Sequence, residues 1–152
     1  MFRFLCVAAL VASNLPAQKS CPITTPSSPA FIPPAPYQVN AGLDAFWYGD
    51  KDLWTRLPVD GFWNGLPHRK EGYFNKLFLW KPGYDGRVEP ITVVVRPLLG
   101  QAPAVTVHDG TGAFFDHTWQ MLTGVIFPAP GCWEVTASNA GHKLTFVVSV
   151  QP

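Results

Sequence analysis

Apolar and polar residues alternate clearly in the last part of the chain. Between residues 143 and 150 the large apolar residues Leu144, Phe146, Val148 and Val150 recur at every second position. Successive side chains of a strand point to opposite faces, so this pattern predicts a strand with one buried face. Further strands of the second half are predicted at 91–96, 104–108, 119–127 and 132–137.

The first half has shorter apolar runs that are rich in aromatic residues and separated by turn residues. Strands are predicted at 46–49, 53–57, 62–63 and 73–80. The 16 prolines and 13 glycines are scattered between the runs, and inside a helix they would cost ~3 and ~1 kcal/mol each. The sequence therefore predicts an all-β fold: a single Ig-like antiparallel β-sandwich of eight to nine short strands. A cupredoxin-like barrel is the nearest alternative.

The amino terminus has the pattern of a cleavable secretory signal peptide. Arg3 precedes an apolar run of nine residues, 4–12, which is too short to cross a bilayer. We predict cleavage after Ala17 and an exported protein, periplasmic or extracellular. Cys21 is a poor candidate for lipoprotein anchoring, because Lys19 precedes it by two residues. The predicted organisation is a signal peptide at 1–17, a proline-rich extended segment at 18–40 and the sandwich domain at 41–152.

Charge and hydropathy narrow the range of partners. Removing Arg3 with the signal peptide leaves ten basic residues against ten acidic ones. This balance argues against nucleic acid as a partner, which would call for a basic patch. No later apolar run approaches twenty residues, so no integral membrane segment is predicted.

Two cysteines remain after the predicted cleavage, Cys21 and Cys132. In an oxidising compartment such a pair is most simply a disulfide. The bond would close a loop of about 110 residues and stabilise the fold by about 4–5 kcal/mol at most. The alternative is two independent buried thiols.

The closing stretch carries a resemblance. Residues 127–136 place a proline-glycine turn before a strand that begins with Cys132 and Trp133, and residues 144–148 follow. This ending resembles the last hairpin of many Ig-like bacterial domains. Together with 46–49 and 53–54, it looks like a group of uncharacterised secreted bacterial proteins, over most of residues 44–150. The resemblance implies export and a sandwich fold, and it brings no activity and no catalytic residues.

Candidate catalytic and metal-binding groups give weak patterns. The four histidines, His68, His108, His117 and His142, share no ligand spacing, so neither a metal nor another cofactor is predicted. His108–Asp109 and Asp116–His117 could form dyads, but no nucleophile motif accompanies them. Asp44, Asp50, Asp52 and Asp60 lie among aromatics, as in some glycosidase clefts, and also where turns favour aspartate. Catalysis is therefore disfavoured, and no catalytic residue is assigned.

Aromatic residues give the strongest functional indication. Eleven of the 21 aromatic residues fall within 44–84. Adjacent rings in a strand, as in Phe46–Trp47–Tyr48 and Phe62–Trp63, cannot all face one core, so at least one ring of each set should lie outside it. Exposed rings favour a partner surface, and the alternative is that Lys and Arg side chains and the proline-rich segment cover them. The predicted ligand-binding residues are Trp47, Tyr48, Trp54, Trp63, Tyr73, Trp80 and Tyr84.

The function expected from these observations is a secreted or periplasmic, non-catalytic binding module that recognises a protein or a glycan through an aromatic-rich surface. The alternatives are a small hydrolase or carbohydrate-active enzyme of the cell envelope, and a purely structural envelope protein.

Overall fold

The computed structural model describes residues 20–152, so the predicted signal peptide lies outside the described residues. The described chain contains eleven strands and no helix, and hence no helix that could cross a membrane. The strands are β1 (Ala45–Gly49), β2 (Trp54–Pro58), β3 (Phe62–Trp63), β4 (His68–Arg69), β5 (Gly72–Trp80), β6 (Thr92–Pro97), β7 (Val105–Val107), β8 (Thr111–Phe115), β9 (Thr118–Phe127), β10 (Gly131–Asn139) and β11 (His142–Val150).

The strands form two sheets. Sheet A has the order β1-β2-β5-β9-β8, with β4 also paired to β5, and sheet B has the order β3-β11-β10-β6-β7. The pairs are antiparallel except β3 with β11, which is parallel. The predicted all-β class and two-sheet arrangement are confirmed.

Residues 20–152 contain eleven strands, whereas eight to nine are predicted. The two additional strands are β4, which has only two residues, and β8. β8 contains Gly112 and directly follows Asp109–Gly110, a pair that predicts a turn. A glycine inside a strand often marks a break or a bulge, but β9 is continuous through Gly124, which pairs with Lys76.

The core lies between the two sheets. Leu77 and Leu79 of sheet A and Val93 and Val95 of sheet B are at most 2% exposed and belong to one cluster. The alternate apolar residues of β11 are all buried in the same cluster, as their pattern predicts. Burial of this kind stabilises a fold by about 25 cal/mol per Å² of apolar surface.

Two hairpins end in two-residue turns with left-handed backbone. Asp116 and His117 connect β8 to β9 with φ of 55° and 62°, and Ala140 and Gly141 connect β10 to β11 with φ of 47° and 85°. Such turns match the right-handed twist of the flanking strands. The strands predicted at 132–137 and 143–150 leave residues 138–142 as a loop, and the observed turn is shorter because both strands continue to the centre of that loop.

Residues 20–44, which precede β1, form an extended segment that we call the strap. The predicted disulfide is present: Cys21 is bonded to Cys132 of β10, with the Cα atoms 5.4 Å apart. The strap first follows β11, where Thr24 N–H donates to the Val147 carbonyl at 2.9 Å. It then crosses to the outer face of sheet A, where Tyr37 packs edge-on against Trp54 with 4.9 Å between ring centroids.

Candidate functional site

The outer face of sheet A, which points away from the core, carries a row of large side chains. Trp47 of β1 lies directly opposite Arg56 of β2, and Phe78 of β5 lies opposite Leu122 of β9. Trp80 is two residues beyond Phe78, so strand alternation puts it on the same face. This face therefore combines aromatic rings with a cation.

Two neighbouring elements turn this face into a groove, which we call the outer groove. One wall is the strap at residues 37–42, and the other is the β8–β9 hairpin at 113–118. The side-chain amide of Gln38 donates to Oδ2 of Asp116, so the two walls are joined. The groove has a volume of about 600 Å³, which is within the range of about 300–1,000 Å³ for small-ligand sites.

The aromatic floor of the groove is preorganised by packing. Trp47 and Trp80 meet edge-to-face, with ring centroids 5.0 Å apart and planes at 86°. The ring of Phe78 lies 6.3 Å from that of Trp80. The indole nitrogen of Trp47 is buried without a hydrogen-bond partner among residues 20–152. Because edge-to-face pairs hold rings in a fixed geometry, the floor is a rigid surface for a ligand.

Polar side chains are distributed around these rings. Arg56 and Lys76 are exposed cations on the floor, and Gln120 is only 2% exposed although its side chain lines the groove. Nη1 of Arg56 makes a long contact of 3.4 Å with the carbonyl of Ala41. Amides and cations beside flat rings give a surface that can bind hydroxyl and anionic groups while apolar faces pack on the rings.

Tyr37 of the strap stands at one end of the groove. Its hydroxyl donates to the carbonyl of Lys81 at 2.6 Å. Burial raises the pKa of this phenol above its ordinary value. Tyr37 is therefore a neutral group at physiological pH and holds the strap to the end of β5.

A second cavity adjoins the outer groove where β2 and β5 separate. The two strands pair only at Trp54–Trp80 and Thr55–Leu79. Beyond these pairs a cleft of about 460 Å³ opens, lined by Arg56 and Lys76 together with Trp63 and Asp44. Both cations therefore stand at the junction of the two cavities.

Of the seven predicted ligand-binding residues, the structure brings Trp47 and Trp80 into the outer groove. Trp63 lines the adjoining cleft, and its ring also packs against Phe127 and Phe146 at 5.5 and 6.0 Å. Trp54 is fully buried, because the strap covers its ring.

The other three predicted residues, Tyr48, Tyr73 and Tyr84, pack with the core. The hydroxyl of Tyr48 donates to the Thr145 carbonyl at 2.8 Å, and that of Tyr84 to the Arg87 carbonyl at 2.7 Å. Their side chains therefore fix the fold and do not line the outer groove.

The sequence patterns did not predict the groove residues contributed by the strap and the β8–β9 hairpin. These are mainly Tyr37, Gln38, Phe114, Phe115 and Gln120. Phe114 and Phe115 are 60% and 69% exposed. The two adjacent aromatic residues next to a turn could have indicated this part of the groove from the sequence. The contact between Gln38 and Asp116, which are 78 residues apart, has no local sequence pattern that could predict it.

Two of the four candidate aspartates, Asp50 and Asp60, have structural roles. Oδ1 of Asp50 accepts from the backbone of Asp52 and Leu53, and Oδ1 of Asp60 accepts from that of Phe62. These are turn contacts. Within residues 20–152, no group of three or more His, Cys, Asp or Glu side chains is arranged to hold a metal ion.

Comparison with models of protein families, with curated proteins and with solved structures finds no significant match for this chain.

Proposed function

We propose that this protein is an exported, non-catalytic carbohydrate-binding module, and that the outer groove is its ligand-binding site. The observation that carries the proposal is the composition of the groove. Its floor holds the rings of Trp47, Phe78 and Trp80, and amide and cationic side chains surround them. Sugar rings present apolar C–H faces and a rim of hydroxyl groups, and this surface offers a partner for each.

The charges of the groove support binding over glycoside hydrolysis. Hydrolysis commonly uses two carboxyl groups that flank the glycosidic bond. The described lining holds one, Asp116, and its Oδ2 accepts a hydrogen bond from Gln38. Asp116 thus joins the walls of the groove.

Export is supported by two features. The Cys21–Cys132 disulfide is typical of proteins from oxidising compartments. Residues 1–17 have the pattern of a secretory signal peptide. The antiparallel pairing that dominates both sheets supports an Ig-like sandwich. Membership of the secreted bacterial group that the last hairpin resembles is part of the proposal and rests on that resemblance alone.

The proposal is tested by binding of the purified, disulfide-bonded protein to a panel of immobilised glycans, followed by titration of the best binder. Phe115 is 69% exposed and lines the groove, so Phe115→Ala should leave the fold intact. We expect it to weaken binding by about three- to tenfold.

Phe62→Ala is the matched control, since Phe62 is also exposed but lies on β3 of sheet B. It should bind as tightly as the unaltered protein. Equal binding by both variants, or no binding to any glycan, would contradict the proposed function.

A further inference from the structure

The cations of the outer groove lack carboxylate partners. Within residues 20–152, neither Arg56 nor Lys76 forms an ion pair, whereas four other cations do: Lys51, Lys81, Arg87 and Arg96. Asp116 is the carboxylate of the described lining and is bonded to Gln38, and Asp44 lines only the adjoining cleft. The groove therefore carries an excess of positive charge although the chain as a whole is nearly neutral.

A buried amide adds a second, independent indication. Gln120 is 2% exposed and lines the outer groove, on the same face of β9 as Leu122. Its amide can bond a hydroxyl-bearing ligand, since an amide both donates and accepts.

The position of these groups favours a rigid ring over an extended peptide. They project from the outer face of sheet A, where Arg56 belongs to β2, Lys76 to β5 and Gln120 to β9. A peptide could not add as a strand between β5 and β9, because those two edges already pair with each other. A ligand on this outer face meets side chains, and a sugar ring that carries a carboxylate and hydroxyl groups fits the aromatic rings, the cations and the amide together.

We propose that the outer groove binds an acidic saccharide, a chain with uronate residues. The uronate carboxylate would lie between Arg56 and Lys76, the sugar ring would pack on Trp47 and Trp80, and a hydroxyl group would bond to Gln120. This inference rests on the proposed carbohydrate-binding function and names the ligand class of the same groove.

The test compares uronate oligosaccharides with their own methyl esters. Oligogalacturonate and oligomannuronate are titrated into the full, disulfide-bonded protein by calorimetry, each beside the esterified oligomer, which keeps the ring and loses the charge. We expect at least one acid to bind about tenfold more tightly than its ester. The difference should shrink as salt is raised, because exposed charges are screened.

Three variants test whether the preference for the acid over its ester depends on Arg56 and Lys76. Arg56→Gln and Lys76→Gln should each weaken binding of the acid by about tenfold and leave binding of the ester unchanged. Lys143→Gln is the matched control, since Lys143 is exposed on β11 of sheet B. It should change neither.

The outcomes separate the two proposals. Equal binding of acid and ester overturns the acidic ligand and leaves carbohydrate binding standing. Tighter binding of polyglutamate than of every uronate oligomer overturns it in favour of an acidic protein. If no acid and no ester binds, the proposed acidic ligand is also wrong. If the neutral glycans do not bind either, the proposed carbohydrate-binding function is wrong as well.

Discussion

The carboxylate of Glu89 connects three parts of the chain. It accepts a hydrogen bond from Nζ of Lys81, just after β5, and one of 3.2 Å from Nδ2 of Asn139, at the end of β10. Asn139 is 3% exposed and also donates to the Pro90 carbonyl at 3.0 Å. The hydrogen bond from Lys81 is the main cause that holds the pKa of Glu89 below its ordinary value.

We predict that Glu89 contributes to the acid sensitivity of the fold. A carboxyl group whose pKa is lowered by folding stabilises the protein above its unfolded pKa, and this contribution is lost as the pH falls through the folded pKa. Glu89→Gln should lower the free energy of unfolding at neutral pH, because the ion pair with Lys81 is lost. The loss should be only about 1 kcal/mol, since the side chains of Glu89 and Lys81 are both partly exposed. The deficit should disappear between about pH 5 and pH 3.

Urea denaturation of both proteins across this pH range measures the effect. Glu71→Gln is the control, because Glu71 is exposed in the turn between β4 and β5. A deficit for Glu89→Gln that stays constant down to pH 3 would contradict this account.

At the scale of elements, the turn of the β10–β11 hairpin contains a strained backbone conformation that a substitution can relieve. Ala140 has a φ of 47°, in the left-handed region that disfavours a Cβ atom, and Gly141 follows it. Asn–Gly is the preferred pair for such a turn. Ala140→Asn should therefore raise the free energy of unfolding by about 0.5–1 kcal/mol, and Ala140→Val should lower it by about 1–2 kcal/mol. Thermal unfolding of the two variants measures both, and a stabilised Val variant would rule out the explanation.

The strap gives a second prediction at this scale. Tyr37→Phe loses only the hydrogen bond to the Lys81 carbonyl, which corresponds to about 1 kcal/mol. Tyr37→Ala also uncovers the ring of Trp54, so the loss should be about 2–4 kcal/mol. Hydrogen exchange at the Trp54 indole should accelerate in the Ala variant and stay slow in the Phe variant. Equal exchange in both would show that the strap does not protect Trp54.

Strand alternation explains why part of the site could be predicted from the sequence. The ladder places Phe46 and Tyr48 against the core and Trp47 on the outer face, and Phe62 is exposed whereas Trp63 packs inward. The periodicity of two residues decides these positions locally. This periodicity does not predict that the strap buries Trp54, because the strap has no periodic pattern of its own.

For the whole molecule, the groove depends on three distant parts of the chain. The strap, the floor from β1, β2 and β5, and the β8–β9 hairpin all contribute lining residues. The clustering of aromatic residues in sequence predicted Trp47 and Trp80 of the floor, and Phe78 was not among the predicted residues. The walls could not be predicted, because Gln38 and Asp116 meet only once both sheets and the strap are in place. A substitution that detaches the strap from sheet A should therefore also disrupt the outer groove.

The Cys21–Cys132 bond tests this dependence. It joins residues 111 positions apart, and in the chain-entropy treatment a loop of this size stabilises the fold by about 4–5 kcal/mol. Replacing both residues, Cys21→Ser with Cys132→Ala, should lower the unfolding free energy by up to this amount and weaken ligand binding.

Combination with Tyr37→Ala decides whether the strap acts as one unit. If the disulfide and Tyr37 hold the same segment, the strap is already loosened once the bond is removed. Tyr37→Ala should then cost less in the cysteine-free background than in the disulfide-bonded protein, by about 0.5–3 kcal/mol of coupling. Urea denaturation of the four proteins gives that difference directly. Strictly additive losses would mean that the two attachments act independently, and that the groove wall at 37–42 is formed without help from the covalent anchor.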